Sequence, residues 1–180
     1  MDVEEWFEAC EDGDLLKIEN FIKLGVDINV GKNDTRGSTA LSRVVMWGFI
    51  DVIKLLLHPQ IEGVVGADIN AQNKDGRTAL MCAVRSDYNL HIVELLLHPQ
   101  IEGVVGSDVN IKDKNGNTAL MLAVTSWQPH NVELLLKYGA DMEIKNNDGD
   151  TFLDFAKGFE LETINRIIFE VCSKNIKGVQ

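Results

Sequence analysis

Residues Leu55 to Asn70 read LLLHPQIEGVVGADIN, and residues Leu95 to Asn110 read LLLHPQIEGVVGSDVN, the same run 40 residues further on. A long, nearly identical run at fixed spacing marks a chain built as an array. One supersecondary unit recurs, and each copy buries its apolar face by stacking on the next. The product of such a design is an extended surface rather than one enclosed cleft.

Outward from these two copies, recurring glycines fall in two series: Gly25, Gly66, Gly106, Gly139, and Gly37, Gly76, Gly116, Gly149. Between them lie VDINVGKNDTR, ADINAQNKD, SDVNIKDKN and ADMEIKNND, which are polar and rich in turn formers. Each is expected to be a short extended arm closed by a tight turn. Thr39, Thr78 and Thr118 each open Thr-Ala-Leu, and Thr151 opens Thr-Phe-Leu. A threonine directly before an apolar run reads as a helix N-cap, its hydroxyl accepting an otherwise orphan backbone N–H. A second apolar cluster follows in each unit, at Leu55–Leu57, Leu95–Leu97, Leu134–Leu136 and Ile167–Ile168, with pairs such as Val52/Leu56 and Val132/Leu136 at helical spacing. The interval holds one short helix, a turn and most of a second helix. That second helix is expected to stop at the first-series glycine in a left-handed cap.

This order of signals, GxTAL opening the first helix and LLLxxGAD closing the second, resembles the ankyrin repeat, whose basic length is about 33 residues. Gly116 to Gly149 spans 33 residues, Gly76 to Gly116 spans 40, and Gly37 to Gly76 spans 39. The excess is six residues within each HPQIEGVVG segment and one in the turn Ser86-Asp87-Tyr88-Asn89. The resemblance implies an all-α solenoid forming a single domain over 1–180. Its units are a capping one near 1–30, complete ones near 31–70, 71–110 and 111–143, and a final cap near 144–175. Two features depart from the family pattern. No Pro-His follows the threonines, so the family's histidine network between units is absent, and Val44 stands where the other first helices carry Ala83, Ala123 and Ala156.

The composition, 45% apolar and 25% charged over 180 residues, is that of an ordinary globular chain. Met1 to Asp14 is acidic where a secretory leader needs a basic start, and no apolar run approaches membrane-spanning length. A reducing cytoplasmic setting is expected, the host cytosol and the nucleus remaining open. Cys10, Cys82 and Cys172 lack metal or disulfide spacing. The net charge of −11, with eight acids against Lys17 in residues 1–20, argues against nucleic acid as a partner. That acidic stretch reads as a solvated capping face or as a docking patch for a basic partner.

No catalytic, cofactor or metal constellation stands out. His58, His91, His98 and His130 sit at expected helix ends, where an imidazole is favourable without chemistry. The calcium-like run Asn146 to Asp150 fails because its first and last ligand positions fall at Ile144 and Phe155.

The resemblance implies that arms and first helices line up along a concave face where partners bind. The positions left free there are Arg36, Met46 and Trp47 in one unit; Lys74, Arg77, Arg85, Asp87 and Tyr88 in the next; and Lys114, Asn117 and Trp127 in the third. Aromatic and arginine side chains dominate many interfaces, so a stripe of Trp47, Tyr88 and Trp127 flanked by Arg77 and Arg85 is the leading candidate. Alternatively, an aromatic in a short turn folds back over the unit below. The two inserts, forced out of helix by Pro59 and Pro99, would lie side by side, with Ile61, Val64 and Val65 on Ile101, Val104 and Val105, or would form a second recognition ledge. The resemblance also implies asparaginyl hydroxylation at Asn29, Asn70 and Asn110.

The function expected is therefore that of a freestanding, monomeric adaptor, scaffold or inhibitor that binds another protein, with neither nucleic acid nor membrane as partner. One alternative is a structural spacer. The other is a small-ligand protein or enzyme using the groove, for which only Asp87, His91 and Arg85 offer scattered ionisable groups.

Overall fold

The computed structural model describes residues 2–85, 89–101, 103–156 and 161–177. Within them helices follow in pairs: α1 (Val3–Asp12) with α2 (Leu15–Lys23), α3 (Ala40–Trp47) with α4 (Ile50–Leu57), α5 (Ala79–Ala83) with α6 (Leu90–Leu97), α7 (Ala119–Thr125) with α8 (Pro129–Lys137), and α9 (Phe152–Ala156) with α10 (Leu161–Lys177). No strand occurs among the described residues, and a single antiparallel bridge joins Gly31 to Thr39. The all-α solenoid expected from the repeats is what the chain forms.

The threonines begin the first helices as their position demands. Thr39, Thr78 and Thr118 accept at Oγ1 from the N–H of Ser42, Met81 and Met121, at 3.1, 3.3 and 3.5 Å. Thr151 differs: its N–H and its hydroxyl both donate to Asp154 Oδ2, at 2.9 and 3.0 Å. A carboxylate three residues into the helix is the stronger acceptor and reverses the direction of the cap.

The ends of the second helices split into two kinds. Where no insert follows, Gly25 and Gly139 adopt the expected left-handed conformation, with φ of 84° and 86°. Where the insert follows, α4 and α6 stop before Pro59 and Pro99, and the left-handed residues are Gly63 and Gly103 instead. Gly66 and Gly106 meet a different need. The returning arm crosses the end of its own helix, with Ala67 and Ser107 donating to the carbonyls of Leu56 and Leu96 at 2.7 and 2.8 Å. A Cβ added at Gly66 or Gly106 would lie 2.1 or 2.0 Å from the carbonyl oxygen of Leu57 or Leu97.

The first helices stack in the order α1, α3, α5, α7, α9, with the second helices packed behind them. One contiguous apolar core runs from Trp6 through Leu41, Leu80 and Leu120 to Val171. In the LLL clusters the burial alternates as a helix requires: Leu56 and Leu96 are fully buried, and Leu55 and Leu95 half-buried. Ile61, Val64, Ile101 and Val104 of the inserts pack on this core. Ile101 also reaches a cavity of about 250 Å³ bounded by Lys54, Leu55, His58 and Gln60, so the two inserts are neighbours. Val65 and Val105 do not take part in the packing expected of them, being 85% and 82% exposed. Alternation along an extended segment turns them outward while Val64 and Val104 point in.

Candidate partner-binding face

The arms are organised by one Asx residue each. Asp34, Asn73, Asp113 and Asn146 occupy equivalent positions, and each accepts two backbone N–H groups of its own turn at Oδ1. Burial of Asp34 opposes ionisation, but the N–H groups of Gly37 and Arg36 and the Arg43 guanidinium outweigh it and hold the carboxyl below its usual range. Adjacent tips are then tied by one backbone bond per junction: the N–H groups of Lys74, Lys114 and Asn147 donate to the carbonyls of Arg36, Asp75 and Asn115 at 2.8, 2.9 and 3.0 Å.

A second ladder runs along the bases of the arms. Asn29, Asn70 and Asn110 accept at Oδ1 from the N–H of Asp68, Asp108 and Asp141, at 2.8, 2.9 and 2.9 Å. These three asparagines, the positions considered for hydroxylation, thus bridge units through their side chains. Truncating Asn70 to Ala removes one such bond, and an expected loss of about 1 kcal/mol follows, read as a lowered urea midpoint. An unchanged midpoint would show that the ladder contributes nothing.

Some candidate residues turn out to serve these junctions. Lys74 donates from Nζ to the carbonyl of Asp34 at 2.8 Å, and Asn117 accepts from Asn146 Nδ2 at 3.2 Å. Arg77 is half-buried, its Nε 3.8 Å from the buried carboxylate of Asp113. Lys114 is exposed, whereas Asp87 and Tyr88 lie outside the described residues. Sequence reasoning passed over the Asx series and the Asn ladder. Their signal was present in the recurrence of Asp or Asn three residues before each second-series glycine, and of Asn four residues after Gly25, Gly66 and Gly106.

What remains on the side built from arm tips and first helices is a groove of about 350 Å³ between the units near 31–70 and 71–110. Arg36 and Met46 stand on one side of it and Arg77, Cys82 and Arg85 on the other, with Asp75 at the tip. Burial pushes the Cys82 thiol up, and the fields of Arg77, Arg85 and Arg36, which line the same groove, work in the opposite direction. Cys10, buried under the first cap, is pushed up to about 12 by burial and by Glu11, which leaves it an inert apolar filler. The other cations nearby are consumed internally: Lys32 meets Glu11 at 3.0 Å, and Arg43 meets Asp34 at 2.8 Å. Among the described residues no carboxylate lies within 4.0 Å of Arg36 or Arg85.

Met46 and Trp47, 54% and 60% exposed, are the last two residues of α3, Met46 on the wall of the groove. Trp47 closes α3, whereas Trp127 lies two residues past α7 with φ of 59°, opposite in the repeat to Gly48 with φ of 80°. The two tryptophans are therefore one residue out of register. Trp127, 59% exposed, holds a conformation that disfavours a bulky side chain by about 1–2 kcal/mol. No helix among the described residues is long and apolar enough to cross a membrane, and no group of three or more His, Cys, Asp or Glu is placed to hold a metal ion.

The family model for ankyrin repeats in three copies matches residues 6–105 and again 101–177. The repeat spacing, the helix pairs, the threonine caps and the arm ladders agree with that match, and the chain belongs to the ankyrin repeat family.

Proposed function

We propose that this protein is an adaptor, scaffold or inhibitor that binds a partner protein on the side formed by its arm tips and first helices. Ankyrin repeats are generally protein–protein interaction modules and usually not enzymes. The observation that carries the reading here is an arginine-lined groove walled by exposed Met46, with exposed Trp47 the next residue of the same helix. Large apolar side chains next to arginines are the composition of interface hot spots. The strained backbone at Trp127 supports it, since strain kept where glycine would relieve it points to selection for the side chain. A face held rigid by two hydrogen-bonded ladders loses little freedom on association. A cytoplasmic setting fits a binding module whose described cysteines are free thiols.

The test is affinity capture from the source or host cell with the native chain and with Trp47→Ala/Trp127→Ala. The expected result is loss of one specific protein at unchanged helicity. Trp127→Gly sharpens it: the variant is expected to be as stable as the native chain or more so, yet to capture less. Equal capture by all three chains contradicts the reading.

A further inference from the structure

We infer that the groove between the units near 31–70 and 71–110 receives an acidic segment of the partner protein, a glutamate or aspartate side chain seated among Arg36, Arg77 and Arg85. The inference rests on the partner-binding reading above and adds the chemistry of what is bound. The chain carries a net charge of −11, so a place where, among the described residues, three guanidinium groups face Asp75 in the lining and Asp113 behind Arg77 is a local inversion of sign. Such an inversion stabilises an incoming anion and repels the like-charged surfaces the rest of the molecule would tolerate.

The guanidinium groups are not held there by the fold. Among the described residues Arg36 and Arg85 have no carboxylate partner, and Arg77 has only the 3.8 Å approach to Asp113, with Nε making no hydrogen bond. An arginine fork that the fold leaves unmatched is shaped for a carboxylate, which it can engage through two parallel N–H donors. The walls complete the description. Met46 gives the groove a flexible apolar wall, Met81 lies buried beneath it, and the exposed Trp47 follows Met46 at the end of α3. The occupant is therefore an acidic side chain with apolar neighbours along an extended or helical segment of protein. Three guanidinium groups against Asp75 and Asp113 leave one net positive charge, which a single carboxylate neutralises and a doubly charged phosphate would overshoot.

The probe is a short fluorescein-labelled peptide of alternating glutamate and leucine, with a glutamine-for-glutamate version as control, followed by fluorescence anisotropy. Expected are saturable binding of the glutamate peptide only, and weakening by about tenfold in Arg36→Gln and in Arg85→Gln, each at unchanged urea midpoint. Affinity is also expected to fall as salt is raised from about 50 to about 300 mM. Equal binding of both peptides, no binding at millimolar concentration, or indifference to both substitutions overturns the inference. Displacement by inorganic phosphate beyond that caused by chloride at equal ionic strength also overturns it, assigning the groove to phosphate. If Trp47→Ala/Trp127→Ala loses a cellular partner that Arg36→Gln/Arg85→Gln still captures, the interaction face stands and the acidic-segment inference alone fails.

Discussion

Substituting alanine for Gly66 or Gly106 is expected to destabilise the protein by about 3 kcal/mol, at the upper end for forcing one extra methyl into a packed site. The added Cβ would lie 2.1 or 2.0 Å from a backbone carbonyl oxygen, and backbone cannot swing aside as a side-chain tip can. Relief requires the arm to lift off the helix end, which lengthens the 2.7 and 2.8 Å bonds from Ala67 and Ser107. Gly25→Ala is the comparison. Nothing lies within 4 Å of a Cβ there, so only the left-handed backbone, φ of 84°, opposes alanine, at about 1 kcal/mol. Urea unfolding of the three variants decides the matter. Gly66→Ala costing no more than Gly25→Ala would mean that the arm does not cross the helix end so closely.

Leu96→Ala is expected to cost about 2–5 kcal/mol, the range for truncating a fully buried leucine and leaving a cavity. Leu96 is fully buried on α6, a helix that packs against both α5 and α8. The loss is therefore not confined to one unit, because each unit's apolar face is completed by its neighbours. Leu95→Ala, one position round the same helix and half-buried, is expected to cost less than half as much. Thermal or urea unfolding of the pair checks the ratio.

The helix pairs and their caps were legible in the residues because they rest on local rules. Threonine before an apolar run has one low-energy use, and Thr39, Thr78 and Thr118 all take it. Thr151 shows the limit: Asp154 competes for the same groups and reverses the cap, a contest that spacing alone does not settle. The role of Gly66 and Gly106 was misread for a related reason. A glycine after a helix suggests a left-handed turn, but proline-led inserts had already moved that turn to Gly63 and Gly103, and what remained was a tertiary close approach. Val65 and Val105 could not be assigned from apolarity either, since adjacent valines on an extended segment point to opposite sides.

The candidate face divides along the same line. That arm tips and first helices share one side followed from the repeat resemblance. That Lys74 and Asn117 spend their polar groups on inter-unit junctions, while Arg36, Arg77 and Arg85 converge on one groove, depended on contacts between units, 40 residues apart for Lys74 and Asp34 and 29 for Asn117 and Asn146. No local pattern encodes such a convergence.

The continuity of the apolar spine is what makes one face of this chain a single rigid surface, and the tryptophans allow it to be measured. Trp6 is buried in the first cap and Trp127 lies beyond the middle of the array, on opposite sides of Leu96 in the stack. Urea unfolding is followed by fluorescence in two backgrounds, Trp47→Phe/Trp127→Phe reporting Trp6 and Trp6→Phe/Trp47→Phe reporting Trp127, each with and without Leu96→Ala. The expected result is that Leu96→Ala lowers the midpoint at both reporters by the same free energy. A shift at one reporter with the other unmoved would show two independently folding halves and contradict the continuous spine.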